Sequence, residues 1–267
     1  MDDLLIYFSG EKLYGDDFTY QQIKEWYEDE ENGYADLGAK NKSSYQYAYH
    51  ELNKFLGYKY LDKDKFDNVL GFGSAYGDEL LPVIKKIKHV TILEPSNAFI
   101  NKQIHGVPCE YVKPSIDGKL AFDNNKFDLI TCFGVLHHVP NVSMVVQEMK
   151  RVIRDDGYIL IREPVTSMGD WRRPRSGLTK RERGIPVDIF DKIISDAGLI
   201  KVAKTYCVFP IVPKLCNKLN ISAYNSLIAV IVDKFICSLF SGSPKYHAET
   251  TVDKIRPTSA FYVLKKK

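Results

Sequence analysis

The sequence predicts a doubly wound, mostly parallel α/β sheet, and three observations predict it. An apolar strand runs into a glycine-rich turn, Asn68-Val69-Leu70-Gly71-Phe72-Gly73-Ser74-Ala75-Tyr76-Gly77. A second apolar strand ends in a carboxylate, Thr91-Ile92-Leu93-Glu94. From residue 66 onward, strand-like and helix-like runs alternate.

The bulk numbers suit that class. With 267 residues, 45% apolar and 27% charged, the chain fits one large α/β domain with insertions or a cap. A net charge of +3 is too slight to point to nucleic acid as a global partner. The five cysteines, Cys109, Cys132, Cys207, Cys216 and Cys237, are scattered without metal-ligand or redox spacing, so free thiols in a cytoplasmic setting are expected and no metal site is read. The first residues show no basic stretch followed by an apolar core, so no secretion signal is expected. The most apolar late run, Ser226 to Phe240, is broken by Asp233 and Lys234 and is too short and polar to span a bilayer.

Residues 1–61 should be helical and form an N-terminal lid. Thr19 and Gln22 make a capping-box pattern, with Phe18 and Ile23 at staple positions. A helix should start near Tyr20, carry Ile23, Trp26 and Tyr27 on one face and end near Gly33. Its acidic half, Glu25 to Glu31, reads first as a solvated face. The alternative is an aromatic lid of Trp26, Tyr27 and Tyr34 over a cationic ligand. A second helix is expected over Ser43 to Leu61, with Tyr45, Tyr49, Leu52 and Leu56 in a packing stripe.

The sheet domain should occupy 62–209 plus 259–267. After the glycine turn a helix carries Leu80, Leu81, Ile84 and Ile87, with Pro82 as a kink. Strands follow at His89 to Leu93, at Cys109 to Val112 and at Phe127 to Phe133, the last apolar enough to be buried on both faces. Asn141 should cap a helix bearing Val145, Val146, Met149 and Val152. Asp155-Asp156-Gly157 turns into a strand at Tyr158 to Ile161. Ile189 to Ile194 form a helix closed by Gly198, and strands at Leu199 to Phe209 and Ala260 to Leu264 complete the sheet. Residues 210–258 form a helical insertion whose 221–240 segment is too apolar for a fully exposed helix. It should join the core or meet a second subunit, with a membrane-resting lid as a third use.

Ligands of such sheets bind outside the carboxyl ends of the strands. Gly71 and Gly73 let the backbone turn tightly and admit a ligand without a Cβ in the way. Glu94, followed by Pro95, stands where a ribose would present two hydroxyls to one carboxylate. Phe72, Ser74, Ser115, Ile116, Asp117 and Phe133 fall at the same ends, and with Tyr27 they complete the expected cofactor set.

With these residues in view, the chain resembles the class I S-adenosylmethionine-dependent methyltransferases, in particular the small-molecule group of the ubiquinone-biosynthesis type. The likeness lies in the turn Val69 to Gly77, in Glu94, in Leu120 to Val139 (with Phe127-Asp-Leu-Ile-Thr-Cys-Phe133 and Val135-Leu-His-His138), and in Glu148 to Ile161. It covers roughly 64–205 and the last strand. It implies a Rossmann-like sheet of seven strands with the last one inserted antiparallel, and S-adenosylmethionine as cofactor. The sequence departs from the family in having Val69 and Leu70 where an acid often opens the first motif. A fainter similarity, in Ser167-Met-Gly-Asp-Trp171 and Arg181-Glu-Arg-Gly-Ile-Pro186, is to methyltransferases of bacterial surface-glycan pathways, which implies a role in polysaccharide biosynthesis.

Methyl transfer from a sulfonium needs alignment and exclusion of water more than covalent help, and a hydroxyl acceptor gains from a base. His137, His138 and Glu163 are the candidate bases. Arg162, and Arg172, Arg173 and Arg175 from the basic loop 170–184, are candidate anchors for a phosphate- or carboxylate-bearing acceptor such as a nucleotide-activated sugar. The competing use of that loop is to pair with the acidic N-terminal helix. Two other functions suit the same turn and acid: a nicotinamide-dependent oxidoreductase, although Tyr76 stands where its third glycine belongs, and a binding scaffold without turnover.

Overall fold

The computed structural model describes residues 4–37, 45–242 and 245–267, with the side chains of 31–37 left aside. The N-terminal part carries α1 (Leu5–Phe8), α2 (Tyr20–Leu37) and α3 (His50–Leu56). The sheet region follows with β1 (Phe66–Phe72), β2 (Ile87–Leu93), β3 (Gln103–Ile104), β4 (Val107–Val112), β5 (Phe127–Phe133), α4 (Val142–Val152) and β6 (Ile153–Pro164). Then come α5 (Val187–Asp196), β7 (Leu199–Cys207), α6 (Ile211–Lys218), α7 (Leu227–Leu239) and β8 (Ser259–Lys266).

The strands form one sheet in the order β3-β4-β2-β1-β5-β6-β8-β7. The pairs β1–β2, β1–β5, β2–β4 and β5–β6 are parallel, and β8 lies antiparallel between β6 and β7. The seven expected strands are present, and an eighth is added. Gln103 and Ile104 fold back on Pro108 and Val107 across His105 and Gly106. Both turn residues have positive φ, 48° and 85°, as a two-residue hairpin demands. Nothing in the periodicity of so short a strand announces it.

Successive residues of each strand point to opposite faces, so the sheet has two cores. Leu70, Ile130, Ile159, Ile161 and Tyr262 pack with Val146, Met149, Phe190 and Ile194 of α4 and α5. Val69, Leu129, Leu160 and Phe261 pack on the other face with Leu52 and Leu56 of α3 and Val230 of α7. The lid region and the insertion thus share the core of the sheet. The outer side of α7 stays uncovered, with Ile228 at 77% and Phe235 at 63% exposure.

Local chemistry explains where the elements differ from expectation. The capping box forms as read, with Thr19 N–H donating to Gln22 Oε1 at 2.9 Å, but α2 runs past Gly33 to Leu37. The second helix is shorter than expected and starts at His50; Ser43 lies outside the described residues. Between Asp78 and Lys86 the chain winds as a 3₁₀ helix around Pro82, whose missing donor spoils the α pattern. Asn141 does not cap α4 with its side chain. Asp16 does so from the N-terminal segment, accepting from Ser143 N–H at 2.8 Å and Ser143 Oγ at 2.5 Å. The Asp155-Asp156-Gly157 turn is absorbed into β6 as an irregularity, where the register passes from Phe127↔Ile153 to Leu129↔Tyr158. Gly198 takes φ 74° directly after α5, as expected.

Candidate functional site

Parallel pairing puts Phe72, Leu93, Val112 and Phe133 at one edge of the sheet, with Phe72 beside Leu93, Leu93 beside Val112, and Phe133 beside Arg162. The turn after β1 is pinned to that edge by Gly73 N–H, which donates to Leu93 O at 2.8 Å. Gly71 has no room for a side chain: a Cβ would stand 2.5 Å from Ser74 Oγ and 2.6 Å from Ile92 Cδ1. Gly73 and Gly77 adopt φ 64° and 70°, and Ala75 between them takes 47°, a left-handed position rare for a residue with a Cβ.

Glu94 is 9% exposed and bridges two loops. Its Oε2 accepts from Ala75 N–H at 3.2 Å and its Oε1 from Ser96 N–H at 3.1 Å. Burial raises its pKa, partly offset by those two donors. Each carboxylate oxygen keeps capacity for a further hydrogen bond, as two ribose hydroxyls would require. In the neighbouring loop, Ser115 Oγ donates to Asp117 Oδ1 at 2.7 Å and Lys119 N–H to the same oxygen at 3.0 Å, and these bonds depress the Asp117 pKa. Ile116 is half-buried between them. Burial pushes the Tyr27 hydroxyl upward, and the charges of Glu30 and Asp117 add to this, so Tyr27 of α2 stands near that loop.

Other expected contacts fall elsewhere. The Phe72 side chain is 6% exposed and belongs to the core facing α4, which leaves only its backbone at the turn. Pro95 is exposed. Trp26 is fully buried, its indole N–H donating to His138 O at 2.8 Å, so it is a packing residue and not part of a lid; the Tyr34 side chain lies outside the described residues.

A cavity of 330 Å³ opens at the carboxyl ends of β5 and β6, lined by Tyr49, Phe133, His137, Arg162 and Val208 among others. Arg162 is 7% exposed, lies with its guanidinium carbon 3.8 Å from the Tyr49 ring centroid, and donates to Asn53 Oδ1 at 3.0 Å. Both partners are neutral, and among the described residues no carboxylate lies within ion-pair distance of it.

The three expected bases form one cluster. Glu163 accepts from Val135 N–H and Leu136 N–H at 2.9 Å each, and stands 2.8 Å from His137 Nδ1. It is buried and committed to orienting the turn after β5, which makes it a positioning residue. His137 Nε2 faces Glu182 Oε1 at 3.4 Å. Burial pulls the His137 pKa down, but bonds to Glu163 and Glu182 outweigh this and raise it from 6.5 to about 9. His138 Nδ1 faces Glu30 Oε2 at 3.0 Å, and burial with the neighbouring His137 lowers its pKa.

The basic loop does not reach the cavity. Arg172 turns back on Asp170, with two contacts of 2.8 Å. Arg173 is exposed. Arg175 donates to Thr179 O at 2.9 Å and Met168 O at 3.2 Å, inside its own loop. Lys180 and Arg181 pair with Asp29 of α2 at 3.1 and 2.5 Å, the alternative use of this loop. Sequence reasoning missed Glu182, which sits in the loop but faces the histidines. It also missed Glu79, 4% exposed under the glycine turn, which accepts from Thr131 Oγ at 3.3 Å. Burial raises Glu79 from 4.5 to about 7.

Residues 70–161, the turn, the Glu94 strand and β5 through β6, match the family described as "Methyltransferase domain". Over that stretch the chain is similar to a methyltransferase domain, and the N-terminal helices, α5 to α7 and the last two strands lie outside the match. Ubiquinone biosynthesis O-methyltransferase of Glaesserella parasuis is 46% identical over 39 residues, 15% of this chain and 16% of that protein. Its counterpart in Proteus mirabilis is 26% identical over 54 residues, 20% of this chain and 22% of that protein. These matches therefore span less than a quarter of either relative. In solved structures the fold recurs in a protein of Pyrococcus horikoshii, with TM-score 0.57 and 13% identity over 88% of this chain and 99% of that one. It also recurs in an S-adenosylmethionine-dependent methyltransferase of Mesorhizobium loti, with TM-score 0.51 and 13% identity over 77% and 94%. A third is phosphoethanolamine N-methyltransferase 2 of Haemonchus contortus, with TM-score 0.54 and 12% identity over 80% and 52%. No helix among the described residues is long and apolar enough to cross a membrane.

Proposed function

We propose that the chain transfers a methyl group from S-adenosylmethionine to a small anionic acceptor, favouring O-methylation of a sugar or sugar-nucleotide hydroxyl in cytoplasmic polysaccharide biosynthesis. The observation that carries the acceptor class is Arg162, a buried guanidinium on the wall of the 330 Å³ cavity whose hydrogen-bond and ring partners, Asn53 and Tyr49, are neutral. Burying such a charge is costly unless something of opposite sign comes to it, and a phosphate or carboxylate fits the guanidinium fork. The Haemonchus neighbour of the same fold, in complex with phosphomonomethylethanolamine and S-adenosylhomocysteine, supports this reading.

The division of labour is simple in chemical terms. S-adenosylmethionine supplies an electrophilic methyl group. The turn 71–77 and Glu94 bind the nucleoside, with Tyr27, Ser115, Ile116, Asp117 and Phe133 around it. Arg162 holds the acceptor anion, so that the hydroxyl is presented along one line, and the buried walls keep water away.

The test is a thermal shift of the purified chain with S-adenosylmethionine, S-adenosylhomocysteine and NADH, followed by transfer of labelled methyl to nucleotide sugars and sugar phosphates. A ligand at a hundred times its Kd stabilises by about 2.7 kcal/mol. A shift with NADH alone would end the proposal. For the exposed side of α7 we propose a second copy of the chain as the occupant, since Ile228, Phe235 and Leu239 form an apolar face too large for a lone surface helix. Phe235→Glu should convert a dimer to a monomer in light scattering; a monomeric wild type removes this part.

A further inference from the structure

Asn53 lies fully buried in α3, beside the core residues Leu52 and Leu56. A polar side chain in such a place is costly unless both ends of its amide are met. Both are. Its Oδ1 accepts from Arg162 Nη1 at 3.0 Å, and its Nδ2 donates to the Tyr47 hydroxyl at 2.7 Å. Because a guanidinium only donates, Oδ1 must face Arg162 and the amide has one orientation. Tyr47 is fixed in turn by Asn225 of the helical insertion, whose Nδ2 donates to Tyr47 O at 2.9 Å and whose Oδ1 accepts from His50 N–H at 2.8 Å.

An aspartate has the same shape as this asparagine and would be met at both oxygens. Arg162 would donate to one. The Tyr47 hydroxyl, which here accepts, can equally well donate to the other, and burial pushes its pKa upward, so it keeps its proton. The geometry is ready for a buried ion pair, and the chain places a neutral amide in it. The surroundings leave the charge uncancelled as well. Tyr49, under the guanidinium, stacks on Tyr224 with ring centroids 5.3 Å apart. Glu163, next in the chain, is committed to His137 Nδ1 at 2.8 Å and to the amides of the turn after β5.

We infer that Asn53 determines specificity: it anchors the Arg162 guanidinium without cancelling its charge, and so reserves that charge for a phosphate or carboxylate on the acceptor. The inference rests on the anionic-acceptor reading and adds the residue that makes the site select for anions. A buried charge without a counter-charge destabilises the free chain. An arriving oxyanion recovers that loss and a neutral acceptor does not, which is the basis of discrimination. The sequence conceals the role, because Asn53 sits among apolar helix residues and its arginine lies 109 positions further on.

The probe is inorganic phosphate, with acetate in a second arm and sodium chloride at matched ionic strength as the reference. Each is titrated into the full chain without S-adenosylmethionine, and the melting temperature is read. The wild type should melt higher in phosphate or in acetate than in chloride, and the arm that responds tells which group the acceptor carries. Asn53→Asp should still fold and should bind the responding anion about tenfold more weakly or worse, from loss of a charge-assisted bond. Asn53→Ala removes the amide but adds no charge, and should keep the response. Equal responses in the wild type and Asn53→Asp, or equal losses in the Asp and Ala variants, overturn the inference and leave the anionic-acceptor reading standing. Failure of Asn53→Asp to fold also overturns it, since the site would then not accommodate a carboxylate. A wild type that responds to neither anion ends both.

Discussion

The guanidinium of Arg162 stands over the Tyr49 ring, 3.8 Å from its centroid, and ties the end of β6 to the residue that precedes α3. A cation–π contact of this kind contributes about 0.5–2 kcal/mol, and only one guanidinium nitrogen is taken up by Asn53. Arg162→Met should raise the acceptor KM about tenfold or more, from the loss of a charge-assisted bond, while S-adenosylhomocysteine affinity measured by calorimetry stays as it was. Arg172→Ala and Arg173→Ala should leave acceptor kinetics unchanged, because their side chains lie outside the cavity lining.

Glu94 joins the glycine turn to the loop after β2 through Ala75 N–H and Ser96 N–H. Glu94→Gln keeps the shape and one acceptor oxygen, and loses the charge and one of the two acceptors. S-adenosylhomocysteine binding should weaken by about tenfold to a hundredfold, the worth of bonds to an ionised group at about 1.5–3 kcal/mol. Calorimetry reads this directly. Unchanged affinity would place the nucleoside elsewhere.

Glu79 makes stability depend on pH. Its folded pKa of about 7 lies above the ordinary 4.5 because burial disfavours the charged form. The folded state therefore holds the proton more tightly than the unfolded chain. The contribution is fully present below pH 4.5 and is lost as pH rises through 7, a loss on the order of 3 kcal/mol. Glu79→Gln removes the dependence. The difference in melting temperature between variant and wild type should grow in the variant's favour from pH 4.5 to 7 and level off above. A flat difference across that range would mean that the carboxyl titrates normally.

Asp16 is the cap of α4, with Ser143 N–H at 2.8 Å. Asp16→Ala should cost about 1 kcal/mol, as loss of an N-cap does, read as a lower urea midpoint with the slope retained. Asn141→Ala tests a different contact, since its side-chain amide donates to Asp117 O at 3.0 Å. That substitution should loosen the 115–117 loop and weaken cofactor binding more than stability.

Much of the scaffold was legible because its signals are local. The unbroken apolar run Phe127–Phe133 became β5 with those bounds, since a strand covered on both faces has no polar side to mark. Thr19 and Gln22 announced the start of α2 because both partners of a capping box lie within one turn. Gly71, Gly73 and Glu94 could be placed at the strand ends because each strand ends where its apolar run does. These features determine the sheet, its methyltransferase turn and the edge where a ligand must lie.

Tertiary structure decided what each polar side chain faces. Seen in sequence, Arg172, Arg173 and Arg175 are the conspicuous arginines, yet the register Phe133↔Arg162 puts Arg162 on the cavity wall, while loop closure turns Arg172 onto Asp170 and Arg175 onto backbone carbonyls and leaves Arg173 exposed. Glu30, Glu163 and Glu182 meet His137 and His138 only once α2, β6 and the loop before α5 have packed together. Charge and hydrogen bonding act over a few ångströms, whereas the residues that share them here are separated by long stretches of chain. Spacing along the sequence therefore specifies the elements, and the packed fold alone assigns their polar groups to partners.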